Sequence, residues 1–290
     1  MKYPAVANYI DGRLVPFRGD HLDVVSPLDG TLLSRAPLST AAELDQAVAA
    51  AERAFATWSQ RTIKERSQVF FAYRALLERH ASELATLIHE ENGKTQGEAR
   101  AEVAKAIDVT EFACSLPQLA AGEVLEVSPG VECREERVPL GVVASITPFN
   151  FPCMVPHWTI PIAICLGNCL ILKTSEKVPL TAQRTAKLLT EAGLPAGVFS
   201  ALHGDGRVVE AICDHERIAA VTFVGSTPVA RQVYARAAGK LKRVLALGGA
   251  KNHLVVLDDA DVPQTAVNVT ASMSGCAGQR CMAAATLVAI

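Results

Sequence analysis

From Gly141 onward, short apolar runs alternate with stretches of helical periodicity, and this alternation leaves the chain few folds to choose from. The runs Gly141–Thr147, Cys169–Lys173, Val198–His203 and Ala220–Val224 are too short to be buried helices and are read as strands. Between them the pattern predicts helices over Val155–Leu166, Pro179–Ala192, Arg207–Cys213 and Thr227–Ala238, the second stopped by Gly193. A strand followed each time by a helix predicts a parallel, doubly wound α/β sheet. Such sheets take ligands outside the carboxyl ends of their strands. The residues predicted at those ends are Asn150, Lys173, Glu176, Gly204, Gly225 and Ser226.

The first third reads as helices behind a short extended lead. Thr40-Ala41-Ala42-Glu43 is a capping box, and Leu44, Val48, Ala51, Phe55 and Trp58 follow at spacings of four and three. A second helix is predicted over Ile63–Asn92, with Asn92-Gly93 as its stop, and a second capping box, Thr95 to Glu98, opens a third through Val103 and Ile107. Glu132–Val138 lacks helical periodicity and is expected to be an exposed strand or hairpin arm within about 124–138. After Leu247-Gly248-Gly249 a strand is predicted at Leu254–Leu257, then a helix through Val267, then a strand beginning at Leu287–Ile290. The chain therefore divides into 1–246, the helices and the ligand-binding sheet, and 247–290, the start of a second domain. That start is too short, at about forty residues, for a core of its own.

Half of the 290 residues are hydrophobic, enough for a sizeable core. A net charge of −2 with no basic run gives nothing to attract nucleic acid or an anionic membrane. The longest apolar stretch, Ile160–Leu166, is far too short to span a bilayer, and Met1–Tyr9 carries no apolar or Arg-rich leader, so a soluble, cytoplasmic protein is expected. The eight cysteines include no CxxC pair, so neither disulfides nor a metal site is expected, and the default role of each is a small buried hydrophobe.

Cys281 departs from that default. It lies in Cys276-Ala277-Gly278-Gln279-Arg280-Cys281-Met282-Ala283, nine positions (290 − 281) from the end of the chain. A catalytic thiol needs a route to the thiolate, an oxyanion donor, and an acceptor for electrons or a leaving group. Asn150, between Pro148 and Pro152 in a stiff loop, has a carboxamide that suits the second need; a structural turn asparagine is an equally open reading.

Four motifs in order carry a resemblance over nearly the whole chain: Thr147-Pro148-Phe149-Asn150-Phe151-Pro152, Leu172-Lys173-Thr174-Ser175-Glu176, Phe223-Val224-Gly225-Ser226-Thr227 and Gly278-Gln279-Arg280-Cys281. With these, the chain resembles the aldehyde dehydrogenase superfamily. Gly249-Ala250-Lys251-Asn252-His253 and Arg280-Cys281-Met282-Ala283 resemble in particular its methylmalonate (malonate) semialdehyde dehydrogenases. Those enzymes oxidise a semialdehyde with NAD and coenzyme A, losing carbon dioxide and forming propionyl- or acetyl-CoA. The resemblance implies that Cys281 attacks the aldehyde, and that Asn150 and the Cys281 N–H hold the oxyanion. It implies that Lys173 and Glu176 bind the adenosine ribose, with Thr147, Phe149, Lys177, Gly225 and Gly248 in the same NAD site. Ser226 is implied to cap a helix facing the pyrophosphate. A homodimer or homotetramer is implied for a full-length member.

Three departures from the family pattern matter. The general base of hydrolytic members is replaced by Ala246 in Leu245-Ala246-Leu247, and alanine cannot move a proton. That favours transfer of the acyl group to coenzyme A over water; a hydrolytic enzyme that has lost its base, or a non-catalytic NAD-binding protein, are the rival readings. The substrate carboxylate needs cations: Arg280 is one, and Lys105 stands where the second arginine is expected, keeping charge but losing the bidentate fork. Family members also continue well beyond the cysteine, so the resemblance implies a truncated or split form. Its last strand is expected to have no sheet to join, and the chain to aggregate or lack turnover alone.

Overall fold

The computed structural model describes residues 1–16 and 19–290. The chain opens with β1 (Asn8–Ile10), β2 (Arg13–Val15), β3 (His21–Val25) and β4 (Leu32–Pro37), followed by α1 (Ala41–Trp58), α2 (Ile63–Arg79), α3 (Ala81–Asn92), α4 (Gln96–Cys114) and the single turn α5 (Leu116–Leu119). A hairpin of β5 (Glu123–Ser128) and β6 (Val131–Glu135) leads to the alternating segment. That segment comprises β7 (Val142–Ile146), α6 (Met154–His157), α7 (Ile160–Cys165), β8 (Cys169–Lys173), α8 (Pro179–Glu191) and β9 (Phe199–Leu202), then α9 (Gly206–Asp214), β10 (Ala220–Val224), α10 (Thr227–Ala238) and β11 (Arg243–Leu247). The last part is β12 (Asn252–Val256), α11 (Val262–Ser274) and β13 (Ala284–Ala289).

The main sheet has the order β11-β10-β7-β8-β9-β1-β2. β11 through β9 run parallel, as the alternation predicts. The sheet as a whole is mixed, because β1 adds antiparallel to β9 and β2 antiparallel to β1. Neither β1 nor β11 is legible as a strand: β1 is three residues long, and β11 alternates half-buried with exposed positions. The order reverses at β7, since β8 and β9 continue on one side and β10 and β11 on the other. The loops after β7 and β10 therefore leave the sheet at its switch point, where an α/β sheet has a crevice.

Both expected capping boxes are present, at Thr40–Glu43 and Thr95–Glu98, and a third at Thr62–Glu65. Two expected helices are each divided. Ile63–Asn92 breaks at His80, whose Nδ1 lies 3.2 Å from Arg184 of α8 and 2.8 Å from Glu83. No Gly or Pro announces this break in the sequence. Val155–Leu166 divides into α6 and α7, since Pro161 has no N–H to continue a ladder and sits instead in the first turn of α7. The predicted arm is a hairpin whose strand residues are all exposed, and it ends at Glu135 rather than Val138. The last strand does find a partner: β13 pairs in parallel with β12, from Asn252–Ala284 to Val256–Ala289, with α11 as the crossover. That small unit is thinly packed, and α11 buries none of its residues.

The core lies between the helices and the sheet, with Trp58, Phe70, Tyr73 and Phe199 fully buried. Trp58 donates its indole N–H to the Ile164 carbonyl at 3.0 Å, so α1 is fixed to the end of α7. All of β8 is buried, which suits the middle of a parallel sheet covered on both faces. Leu170→Ala in β8 should cost about 2–5 kcal/mol through lost burial and the cavity left behind. The check is urea denaturation, in which the midpoint falls while the slope is kept.

Candidate active site

Five parallel strand ends share one rim. Thr147, after β7, donates its N–H and its hydroxyl to the Lys173 carbonyl at 3.1 and 3.4 Å, tying the ends of β7 and β8. Lys173 is 4% exposed, and its ammonium lies 3.3 Å from Glu176. Burial pushes its pKa down, opposed by Glu176 and Asp205. Lys177 is exposed and stands 5.0 Å over the ring of Phe149, across the crevice from it. Gly225 follows β10, and a Cβ there would lie 2.5 Å from the Phe223 ring, which would have to move to admit a side chain. Ser226 occupies the N-cap position of α10, but its hydroxyl makes no capping bond, which corrects the expected cap. Thr227 does the tying, accepting from the Gly249 N–H at 2.9 Å, while Gly248 packs so close that a Cβ would sit 3.0 Å from the same hydroxyl. Gly204 lies beyond β9 with its φ at +155°, and a Cβ there would meet Val208 at 2.7 Å. Beside this rim, a cavity of about 670 Å³ opens between α9 and α10, walled by Gly206, Val209, Val229 and Val233.

Cys281 is half-buried, between a tight turn at Gly275–Gly278 and β13. Asn252 donates to the carbonyls of Cys281 and Ala283 at 2.6 and 3.0 Å, which fixes the backbone on either side of Met282. Asn150 reaches the same segment from the loop after β7, donating Nδ2 to the Gln279 carbonyl at 2.5 Å. Its Oδ1 is buried and has no hydrogen-bond partner. Cys276, Ala277 and Gly278 have φ of +52°, +51° and +74°. Left-handed conformations at two consecutive residues with a Cβ cost about 1–3 kcal/mol each and persist only where surrounding contacts hold them. The Cys276 N–H is held by Glu98 at 2.6 Å, and its thiol lies 3.9 Å from Asn92 Oδ1 and 3.8 Å from the Asn150 carbonyl. Burial pushes the Cys276 thiol up, and Cys281 is the more accessible of the two.

The frame behind both segments is a buried ion pair. Lys94 and Glu102 meet at 2.5 Å, with side chains 2% and 0% exposed. Lys94 also donates to the Asn150 carbonyl and lies 3.7 Å over the Phe151 ring. The other Glu102 oxygen accepts the N–H groups of Cys153 and Met154 at 2.8 and 3.1 Å. Burial pushes the Glu102 carboxyl up, and Lys94 is the largest opposing influence. Asn92 donates to the Phe149 carbonyl at 2.8 Å, and Glu91 accepts the N–H groups of Leu180 and Thr181 at the start of α8. Sequence reading gave Asn92-Gly93 only as a helix stop and missed Glu91, Lys94 and Glu102. One signal was available: Glu102 lies on the stripe of Ala99, Val103 and Ala106, a carboxylate on a buried helix face.

Arg280 and Lys105 line one cavity of about 280 Å³ together with Lys94, Glu102, Phe151 and Cys276. A Cβ on Gly275 would lie 2.8 Å from Arg280 Nη1, so that glycine makes room for the guanidinium. The Lys105 ammonium is exposed and paired with Asp108 at 2.9 Å. All eight cysteines are free. Among the described residues no cluster of metal-ligating side chains is found, and no helix is long and apolar enough to cross a membrane.

The sequence profile of the aldehyde dehydrogenase family matches residues 15–289, and the chain belongs to that family. It is 48% identical over 285 residues to malonate-semialdehyde dehydrogenase 1 of Geobacillus kaustophilus, covering 98% of this chain and 58% of that protein. It is 49% identical over 282 residues to malonate-semialdehyde dehydrogenase of Listeria monocytogenes, covering 97% and 58%. The chain thus spans less than two thirds of the length of the curated relatives it matches. Among solved structures, methylmalonate-semialdehyde dehydrogenase from Oceanimonas doudoroffii superposes with a TM-score of 0.97 at 42% identity, covering 99% of this chain and 59% of that one. A Sinorhizobium meliloti protein assigned the same activity, and solved with NAD bound, gives a TM-score of 0.97 at 40% identity, covering 100% and 59%.

Burial pushes the Glu91 carboxyl up to about 7, outweighing the donors at the start of α8. The folded chain then holds a proton at Glu91 that the unfolded chain releases above its ordinary carboxylate range, so this group's contribution is fully present below that range and is lost as pH rises toward 7. Glu91→Gln should remove that component: relative to Glu91→Gln, the wild type should lose stability between about pH 5 and pH 8. Denaturant midpoints of both proteins at the two pH values measure the difference.

Proposed function

We propose that the chain provides the NAD site and the nucleophile of a CoA-acylating semialdehyde dehydrogenase. The observation that carries this is the meeting of two segments: Asn150, at the carboxyl end of β7, is hydrogen-bonded into the Gln279–Cys281 segment. The strand-end residues Thr147, Lys173, Gly225 and Gly248 stand along the same rim.

The residues present suit NAD. The apolar cavity between α9 and α10 has space for a planar ring between Val209 and Val229, and Gly206 leaves its wall open. Lys173 and Glu176 suit the ribose hydroxyls. The Ser226 hydroxyl, unused by its own helix, and the N-terminus of α10 suit the pyrophosphate. NAD, when bound, supplies the hydride acceptor. Cys281 adds to the aldehyde carbon, and the carbonyl electron pair moves to an oxygen held by Asn150 Nδ2 and the Cys281 N–H. For this the Asn150 amide leaves the Gln279 carbonyl, its partner in the ligand-free chain. The acyl group carried on Cys281 then passes to the thiol of coenzyme A. At a pKa near 8.5, about a few per cent of a free thiol is thiolate at neutral pH, so this transfer manages without the carboxylate base that Ala246 cannot supply. Arg280, assisted by Lys105 once it leaves Asp108, neutralises the substrate carboxylate. We further propose that residues 1–246 form the cofactor domain and 247–290 the start of the catalytic domain. A soluble small-molecule enzyme assembled as a homodimer or homotetramer completes the reading.

Lys173→Ala should weaken NAD binding about tenfold or more, measured by calorimetry, with Cys281→Ala leaving it unchanged. Any NADH formation from malonate or methylmalonate semialdehyde, by this chain or by a longer form that contains it, should require coenzyme A and vanish in Cys281→Ala. A rate indifferent to coenzyme A, with free acid as product, would support a hydrolytic enzyme instead. NAD binding with Cys281 left unacylated by the semialdehyde would support a binding protein.

A further inference from the structure

Asn150 donates the hydrogen bond that the proposed reaction depends on, yet its own side chain is poorly anchored: Oδ1 has no partner, and Nδ2 is held only by the Gln279 carbonyl. What fixes Asn150 is its backbone. The Phe149 carbonyl is held by Asn92, the Asn150 carbonyl by Lys94, and the N–H groups of Cys153 and Met154, three and four residues on, by Glu102. Pro152, just before Cys153, has no N–H to contribute. Lys94 and Glu102 are paired to each other and closed off from water. The loop is therefore clamped on both sides by one buried pair standing at the start of α4. The same helix turn holds the nucleophile's segment, since Glu98 accepts from the Cys276 N–H.

We propose that Lys94, paired with Glu102, is a positioning residue for Asn150. It fixes the Asn150 carbonyl, and so the direction in which the carboxamide meets the oxyanion formed at Cys281. This rests on the reading of Cys281 as nucleophile and Asn150 as donor. A lysine suits the task because its compact ammonium can donate to a carboxylate and a carbonyl at once while the stem stays buried.

Two reactions of the same thiol separate positioning from folding. With p-nitrophenyl acetate, the Cys281 thiolate adds to the ester carbonyl, the electron pair moves to oxygen, and collapse expels p-nitrophenolate, leaving S-acetyl-Cys281. The first turnover is read as a burst of p-nitrophenolate. With iodoacetamide, the thiolate forms an S–C bond as iodide leaves, and no oxyanion arises; its rate is read by mass spectrometry of the Cys281 peptide. In Lys94→Met the burst rate should fall about 100-fold, the scale of a misplaced reacting group, while alkylation keeps its wild-type rate. Asn150→Ala should fall similarly, and the double variant should fall no further than Asn150→Ala alone. If Lys94→Met does not fold, Glu102→Gln decides: it keeps an acceptor for the loop N–H groups, removes the charge opposite Lys94, and should show the same split. An unchanged burst in a folded variant, an equal fall in alkylation, or losses that multiply in the double variant would overturn the role of Lys94 and leave the nucleophile reading intact. A wild-type chain without a burst, or a burst that survives Cys281→Ala, would overturn that reading and this role with it.

Discussion

The site depends on one buried ion pair. Removing a lysine and a glutamate from water is costly, and a pair is retained only where the remaining hydrogen-bonding positions are filled. Here they are filled by the loop after β7: the Asn150 carbonyl takes the ammonium, and two backbone N–H groups take the carboxylate. The charges thus need the loop as much as the loop needs them. A helix-capping glutamate one turn earlier, Glu98, extends the frame to the segment that carries Cys281. The loop and the Cys281 segment meet because both are fastened to the start of α4, a rigid element outside the main sheet.

The sheet supplies the complementary half. Its strand order reverses at β7, so the chain leaves the sheet there in opposite directions and opens a crevice over the strand ends. Lys173 closes one side of that crevice and Gly225, Ser226 and Gly248 the other. The two halves differ in robustness. Up to β11 the sheet is packed beneath helices, whereas β12, α11 and β13 form a thin unit with Cys276 and Ala283 as its only buried hydrophobic residues. The strained left-handed run at Cys276–Gly278 lies at that junction. Its geometry is imposed by partners on α4 and the Asn150 loop rather than by packing of its own.

Much of the fold was legible because periodicity survives in a single chain. β8, β10 and α10 run over the predicted residues, and two capping boxes mark helix starts as read. What was not legible depended on contacts distant in sequence. His80, at the helix break, meets Arg184 of α8, and the three residues of β1 join the main sheet through the edge of β9. In the site, Cys281, Asn150, Lys173 and Ser226 could be picked out because they sit in short motifs. Lys94 and Glu102 could not be assigned, since an eight-residue spacing across a helix start says nothing of the loop they clamp. The bond from Asn150 to Gln279 joins residues 129 positions apart and has no local signature. Neither does the free hydroxyl of Ser226, which at a helix start reads as an ordinary cap.

The central claim is that Cys281 carries the acyl group and yields it to a thiol rather than to water. The direct measurement is peptide mass mapping of the chain after exposure to the semialdehyde and NAD without coenzyme A, followed by addition of coenzyme A. The account predicts an acyl adduct confined to the Cys281 peptide, slow to hydrolyse, and discharged as acyl-CoA when the thiol is added. An adduct on Cys276 or another residue, or one that water removes as fast as coenzyme A does, would contradict it.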